Sequence, residues 1–280
     1  MQYGRIGFVG AGKIGEPMVE RLVAAGHRTS VYARRPEVRD RLARIGAATT
    51  PTITDVAASD VVIACVFDDA QLTEVAPTVI EAMPLHTVFM SHTTGSPDTV
   101  RQLERIGAPR GVSIVEAPFS GTPEIIRDGR LTVLLGGDDD AVDRGAAVVS
   151  AYASRIHRTG GLGTALSAKL LNNALFAACT QITLSALRSA DELGIGEGVL
   201  LDLLADSSGG SAAARYIADS GQDAEAYSTR IARYLTKDLD AARAAADHLG
   251  VDITNLLAAA QLGPMRLGAS ELASGAPDRA

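Results

Sequence analysis

The chain begins with a pattern of short apolar runs separated by segments of helical spacing. Apolar, β-rich runs at 6–9, 29–32, 61–65, 87–90, 113–115 and 131–135 alternate with helix-like stretches, the clearest at 13–25, 68–83 and 97–106. Continuous apolar runs bounded by glycine and polar turns fit strands buried on both faces, and the intervening stretches are long enough for crossover helices. Gly26 stops the first helix, while Asp69 and Ser96 stand where caps are expected for the next two. After Thr159 the period changes. Ala and Leu at helical spacing predict helices over 164–193, 199–205, 212–219, 228–249 and 253–262, with a glycine-bearing turn at 194–198. The pattern predicts an α/β fold: a doubly wound sheet in residues 1–159, an all-helical domain in 160–267, and a loose tail rich in Gly, Ala, Ser and Pro in 268–280.

Composition narrows the function classes. Of 280 residues, 46% are hydrophobic and 21% charged, which suits a globular chain rather than a disordered one. A net charge of -7 gives no overall electrostatic reason to bind nucleic acid or anionic lipid. Cys65 and Cys179 each lie in an apolar run, so free thiols in a reducing compartment are expected. The N-terminus runs directly into a strand without the pattern of a secretory signal, and the cytoplasm is the expected location. The segment 165–187 is long enough to cross a membrane, but Lys169, Asn172, Asn173 and Gln181 favour a helix buried in protein, so no membrane partner is expected. The histidines show no metal-ligand spacing, and no metal is expected.

The first candidate chemistry lies directly after the first strand. GAGKIG comprises Gly10, Ala11, Gly12, Lys13, Ile14 and Gly15. In a strand–turn–helix context, Gly10 permits the tight turn, Gly12 lets a pyrophosphate approach the backbone, and Gly15 lets helix and strand pack closely. The N-terminal domain therefore reads as a Rossmann-type dinucleotide-binding sheet. At the end of the second strand, where NAD enzymes tend to carry an acid, the chain has VYARRP, with Ala33, Arg34 and Arg35. Guanidinium groups pair with a 2′-phosphate that an acid would repel, so NADP is expected in preference to NAD. A solvated basic loop is the alternative.

A second candidate is GTALSAKLLNN, residues 163–173, in which Lys169 is the last formal charge before Arg188. This cation either snorkels to water, anchors structure or performs chemistry. At helical period, Lys169, Asn172 and Asn173 share one face, so an ammonium and an amide converge on one small ligand.

In combination, five stretches resemble the β-hydroxyacid dehydrogenase family, which includes 3-hydroxyisobutyrate dehydrogenase and the glyoxylate and succinic semialdehyde reductases. They are GFVGAGKIGEPMVERLVAAGH at 7–27, TTGSPDT at 93–99, EAPFSGTPEIIRDGRLTVLLGG at 116–137, GGLGTALSAKLLNN at 160–173 and TKDLDAA at 236–242. The resemblance implies that Lys169 is the catalytic lysine and that Asn173 helps orient substrate. It further implies that Ser120, Gly121 and Thr122 hold the substrate carboxylate. Thr94, Val66 and Phe67 would line the cofactor, which Lys237 would reach from the second domain. The implied activity is NADP(H)-dependent interconversion of a small aldehyde or keto acid and its hydroxy acid, with Lys169 as general acid and base. Thr122 leans towards the semialdehyde-reducing branch, while Ile125, Ile126, Ala165 and Leu166 depart from the usual small or polar residues and imply a more apolar wall.

Imine reductases share the two-domain plan but usually lack the lysine. Decarboxylating phosphogluconate enzymes place a histidine before theirs, and a catalytically silent dinucleotide-binding scaffold is the reading from a different class. The apolar helical half suggests a homodimer, as the resemblance also implies.

Overall fold

The computed structural model describes residues 4–267, and the loose tail expected at 268–280 lies outside the described residues. The chain divides into two compact units, Met1–Lys169 and Leu170–Ala280. The division falls ten residues later than the boundary expected from the change in period, inside a helix that begins at Thr164.

The first unit contains, in chain order, β1 (Arg5–Val9), α1 (Gly15–Ala24), β2 (Arg28–Tyr32), α2 (Pro36–Arg44), β3 (Ala48–Thr50), β4 (Val61–Ala64), α3 (Asp69–Ala82), β5 (Thr87–Ser91), α4 (Pro97–Gly107), β6 (Val112–Glu116), β7 (Phe119–Ser120), α5 (Pro123–Arg127), β8 (Leu131–Gly137), α6 (Asp139–Val149) and β9 (Ala153–Gly160), then the start of α7 (Thr164–Glu192). Strands β1 to β6 are parallel in the order β3-β2-β1-β4-β5-β6. This is the doubly wound order, in which β2 and β4 leave β1 in opposite directions and open a crevice at the carboxyl ends of β1 and β4. β4 and β5 are buried along their whole length, which is why both read as continuous apolar runs. Two apolar layers cover the sheet, one around Phe8, Met18, Leu22 and Leu135, the other around Val62, Leu72, Phe89 and Leu166.

β8 breaks the parallel pattern. It runs antiparallel to β6 and to β7, pairing Glu116 with Gly136 and Ser120 with Thr132, so residues 116–120 are laid along one strand. β9 then pairs with β8 in parallel. Its sequence, ASRIHRTG, is mostly exposed and carries no apolar run, so periodicity gave no sign of it. Helices α2, α5 and α6 likewise lie where no helix was expected. α1 begins at Gly15, leaving Lys13 and Ile14 in the turn before it. The cap of α3 is Asp68, whose side chain accepts from the Gln71 amide. Asp69, expected in that role, instead accepts from the Ser96 amide at 2.7 Å. Ser96 does cap α4.

The second unit contains the rest of α7, then α8 (Glu197–Asp206), α9 (Ala212–Asp219), α10 (Ala224–Leu249) and α11 (Thr254–Ala259). α7 is long and apolar enough to cross a membrane by length and composition, and 56% of its most apolar window is buried. Within this unit Gln181 is buried with its amide satisfied, donating to Ala260 O at 3.1 Å and Met265 O at 2.8 Å and accepting from the Met265 amide at 2.9 Å. A polar group bound on both sides in this way tolerates burial against protein.

Candidate active site

The glycine loop sits where β1 meets α1, at the reversal of strand order. Gly10 has φ +96, and a Cβ there would stand 2.1 Å from the carbonyl oxygen of Cys65. A Cβ on Gly15 would stand 2.1 Å from the carbonyl oxygen of Gly10. The protein's own packing therefore requires both glycines. Gly12 differs: a Cβ there meets nothing within 4 Å. The position is open, and no side chain caps the adjacent start of α1, where the Glu16 amide donates to Gly12 O at 2.9 Å and the positive end of the helix dipole faces the turn. These residues fit a dinucleotide pyrophosphate.

At the end of β2, Arg34 and Arg35 are exposed, and Arg35 lies 3.7 Å from Glu37 across two solvent-facing side chains. A third arginine, not singled out from the sequence, shapes this turn. Arg39 donates to the carbonyls of Ala33 at 2.9 Å and Arg34 at 2.8 Å, fixing the backbone that presents Arg34. Its signal was hidden in α2, whose charged surface lacks an apolar run.

The loops after β4 and β5 are stitched together. Thr93 donates from Oγ1 to Val66 O at 3.2 Å, and Asp69 holds the Ser96 amide, so Val66 and Phe67 are tied to the segment carrying Thr94. Phe67 is 59% exposed beside this crevice, an unusual placement for a large aromatic side chain and consistent with a face kept for a ligand.

The second cluster forms around the end of β6. Lys169 is buried, at 8% exposure, and donates from Nζ to Ser120 Oγ at 2.7 Å. The two residues lie 49 positions apart in sequence and were expected to share a substrate. Gly121, at φ +150, has no room for a Cβ, which would meet Leu131 at 2.6 Å. Thr122 is exposed and caps α5, with Oγ1 3.5 Å from the Ile125 amide. The apolar departures serve the core. Ile126 is buried among Leu131 and Val133, and Leu166 packs with Val9, Val100 and Leu103, so neither supplies the apolar pocket wall expected of them.

Beneath Ser120 lies a buried polar network. His92 donates from Nδ1 to the carbonyl of Ala117, which can only accept, and its Nε2 therefore accepts from the Tyr152 hydroxyl at 2.8 Å. Burial pushes the imidazole down to about 4, against a weaker upward pull from the Ala117 carbonyl, so it is neutral at physiological pH. Phe119 meets the same ring edge to face at 5.8 Å. This network holds the strand that carries Ser120, and its role was not legible from the single histidine.

Glu116, also passed over in the sequence, is buried at the end of β6 and accepts the amide of Ala165 at the start of α7. In the second unit, Asn173 is buried and donates to Asp238 at 2.8 Å, while the amide of Asn172 donates to Asn173 Oδ1 at 3.2 Å. Asp238 thus orients Asn173. Among the described residues no group of His, Cys, Asp and Glu is placed to hold a metal ion.

Comparison with known proteins agrees with this geometry. Residues 5–161 match the model of the NAD binding domain of 6-phosphogluconate dehydrogenase, and residues 163–274 match that of the NAD-binding region of NADP-dependent 3-hydroxyisobutyrate dehydrogenase. The chain belongs to the β-hydroxyacid dehydrogenase family. Within this family it is 32% identical to an uncharacterized oxidoreductase of Mycobacterium tuberculosis over 72% of this chain and 67% of that one. It is 28% identical to the NAD-dependent L-serine dehydrogenase of Pseudomonas aeruginosa over 74% of this chain and 71% of the relative. A solved structure of Mycobacterium tuberculosis 3-hydroxyisobutyrate dehydrogenase with L-serine superposes with a TM-score of 0.82, covering 93% of this chain and 92% of that one at 24% identity. That likeness establishes a shared fold. A β-hydroxyacid dehydrogenase-like oxidoreductase that binds a nicotinamide dinucleotide is thereby established for this chain, with the Rossmann-type sheet followed by a helical region.

Proposed function

We propose that this β-hydroxyacid dehydrogenase uses NADP(H) to interconvert a small aldehyde or keto acid and its hydroxy acid, with Lys169 as general acid and base. The observation that carries the reading is the 2.7 Å contact between Lys169 Nζ and Ser120 Oγ in a buried setting. An ammonium and a hydroxyl held together offer one small ligand two donors, one for the oxygen that gains charge on reduction and one for its carboxylate. The dinucleotide, when bound, supplies or takes the hydride. Lys169 then donates a proton from Nζ to the carbonyl oxygen in reduction and accepts it in the reverse direction. Ser120 Oγ and the backbone of Gly121 and Thr122 orient the carboxylate. Arg34 and Arg35, exposed on a turn that Arg39 braces through the carbonyls of Ala33 and Arg34, support NADP as the dinucleotide, since guanidinium groups pair with a 2′-phosphate.

The proposed assembly is a homodimer. Its support is a line of exposed apolar residues on α7, Leu171, Leu175 and Ile182, of the kind a second copy covers. The two free cysteines support a reducing, cytoplasmic setting.

The test is a panel of NADPH oxidation assays with glyoxylate, succinic semialdehyde and a cyclic imine, alongside NADP+ reduction with L-serine and 3-hydroxyisobutyrate. Turnover of an aldehyde or hydroxy acid supports the reading. Turnover of the imine alone would make the protein an imine reductase, and tight NADPH binding without any turnover would make it a silent binding module.

Gly12→Ala tests the cofactor seat independently of the substrate. Because the new methyl meets no protein atom, the melting temperature should stay within about 2 °C of wild type, as for other substitutions without steric conflict. NADPH affinity, read by the change in the nicotinamide's own fluorescence on binding, should fall by more than about ten-fold, equivalent to roughly 1.4 kcal/mol. Unchanged affinity would mean that the pyrophosphate does not lie against Gly12.

A further inference from the structure

Two hydrogen bonds join the first turns of α7 to the strand that runs from Glu116 to Ser120. One links the Ala165 amide to Glu116 Oε1, the other Lys169 Nζ to Ser120 Oγ. Both ends are four residues apart on each side. On the strand side, β8 fixes the spacing by pairing Glu116 with Gly136 and Ser120 with Thr132. On the helix side, four residues make about one turn, roughly 6 Å of rise. The helix start therefore cannot slide or rotate on the strand without breaking the first bond, and the second bond depends on that register.

We propose that Glu116 is a positioning residue for the reaction, holding the start of α7 in the register that places the Lys169 ammonium against Ser120. This inference rests on the assignment of Lys169 made above. The carboxylate suits the task, since three amides at the helix start, those of Gly163, Ala165 and Leu166, favour its charged form, as does the positive end of the helix dipole. There is no slack around it: a Cβ on Gly136 would stand 2.3 Å from Glu116 Oε1. Its second oxygen, Oε2, is buried without a hydrogen-bond partner among the described residues.

The hold is sensitive to pH. Burial pushes the Glu116 carboxyl up to about 7, outweighing the amides and the charge of Arg101, so it ionises in the neutral range. The groups around it are known. α4 presents Arg101, itself paired with Asp98 at 3.0 Å, β5 presents Ser91 followed by the neutral His92, β8 presents Gly136, and α7 carries Lys169. Ionised, Glu116 is the stronger acceptor for the Ala165 amide, so the register tightens as pH rises through about 7.

The test uses the whole protein and the fact that its lysines are Lys13, Lys169 and Lys237 alone. In protein labelled with carbon-13 at the lysine ε-carbon, the Lys169 resonance is assigned by its loss in Lys169→Ala. In wild type it should show an inflection near pH 7, and Glu116→Gln should abolish it while leaving the Lys13 and Lys237 signals in place. In turnover, Glu116→Gln should lower kcat about ten-fold at pH 8 with the KM for NADPH unchanged, and should match wild type near pH 5.5, where Glu116 is protonated in the folded protein. Glu116→Asp, which keeps the charge on a shorter arm, should restore the pH inflection in part.

Unfolding does not imitate this result. A carboxyl raised from 4.5 to about 7 on folding contributes stability that is complete below pH 4.5 and lost as pH rises through 7, so Glu116→Gln should be at least as stable as wild type at pH 8. A Lys169 titration in Glu116→Gln superimposable on wild type, or an unchanged kcat at pH 8, would overturn the proposal. Full activity in Lys169→Ala would instead remove the assignment on which it rests, leaving the resonance result to stand by itself.

Discussion

Lys169→Ala is expected to lower kcat by roughly 10² to 10⁴ while NADPH affinity stays close to wild type. The lysine is buried and its ammonium reaches Ser120 rather than the glycine loop, so removing it deletes a donor at the reacting oxygen and leaves the dinucleotide seat intact. The range reflects what one positioned proton donor contributes when charge builds on oxygen in a site shielded from water. Lys169→Arg separates two components of that effect. It keeps a positive charge but cannot release a proton near neutral pH, and its planar fork does not match the place of a single ammonium, so it should recover little of the lost turnover. Steady-state kinetics with the best substrate of the panel, together with direct NADPH titration, check both variants. An alanine variant as active as wild type would end the assignment of Lys169 as acid and base.

Arg34→Asp carries the second large effect. Exchanging a guanidinium for a carboxylate at the end of β2 removes a charge-assisted partner of the 2′-phosphate and adds repulsion. At about 1.5 to 3 kcal/mol for the lost interaction, the Kd for NADPH should rise by about ten- to a hundred-fold. NADH, which lacks that phosphate, should bind as before or better. The turn itself should survive, because Arg39 grips the main-chain carbonyls of Ala33 and Arg34, which the substitution leaves in place. Parallel titrations of the two dinucleotides decide the matter, and equal losses for both would mean that the arginines form a solvated basic loop.

The parts of the fold that were legible are those with a one-dimensional cause. β4 and β5 announced themselves because strands buried on both faces must be apolar throughout, and α10 because its buried face repeats at helical period until Gly250 takes the left-handed conformation at its end. β9 was not legible, since a mostly exposed strand has no reason to be apolar. α5 was missed because five residues hold too little period to read. Among caps, Asp68 and Asp69 offer the same chemistry one position apart. What separated them was the Ser96 amide arriving from a distant loop to claim Asp69.

At the candidate site the same division appears. Lys169 and Ser120 were named from their motifs, yet their hydrogen bond spans 49 positions and exists only because β8 carries residues 116–120 alongside the start of α7. Ile126 and Leu166 looked like pocket residues in sequence order and proved to be core, because the backbone turns their side chains towards the sheet. Glu116 stood inside a quoted motif without a role, since nothing about a glutamate before Ala-Pro says which amide it will accept.

The sequence by itself determined the doubly wound class, the glycine seat and the identity of the lone cation in an apolar helix, because each of these follows from local conformational limits and from burial at a fixed period. Only the tertiary structure decided which polar groups meet. Partners of hydrogen bonds between distant segments are set by strand register and helix placement, and those depend on the packing of the whole sheet rather than on any short stretch of chain.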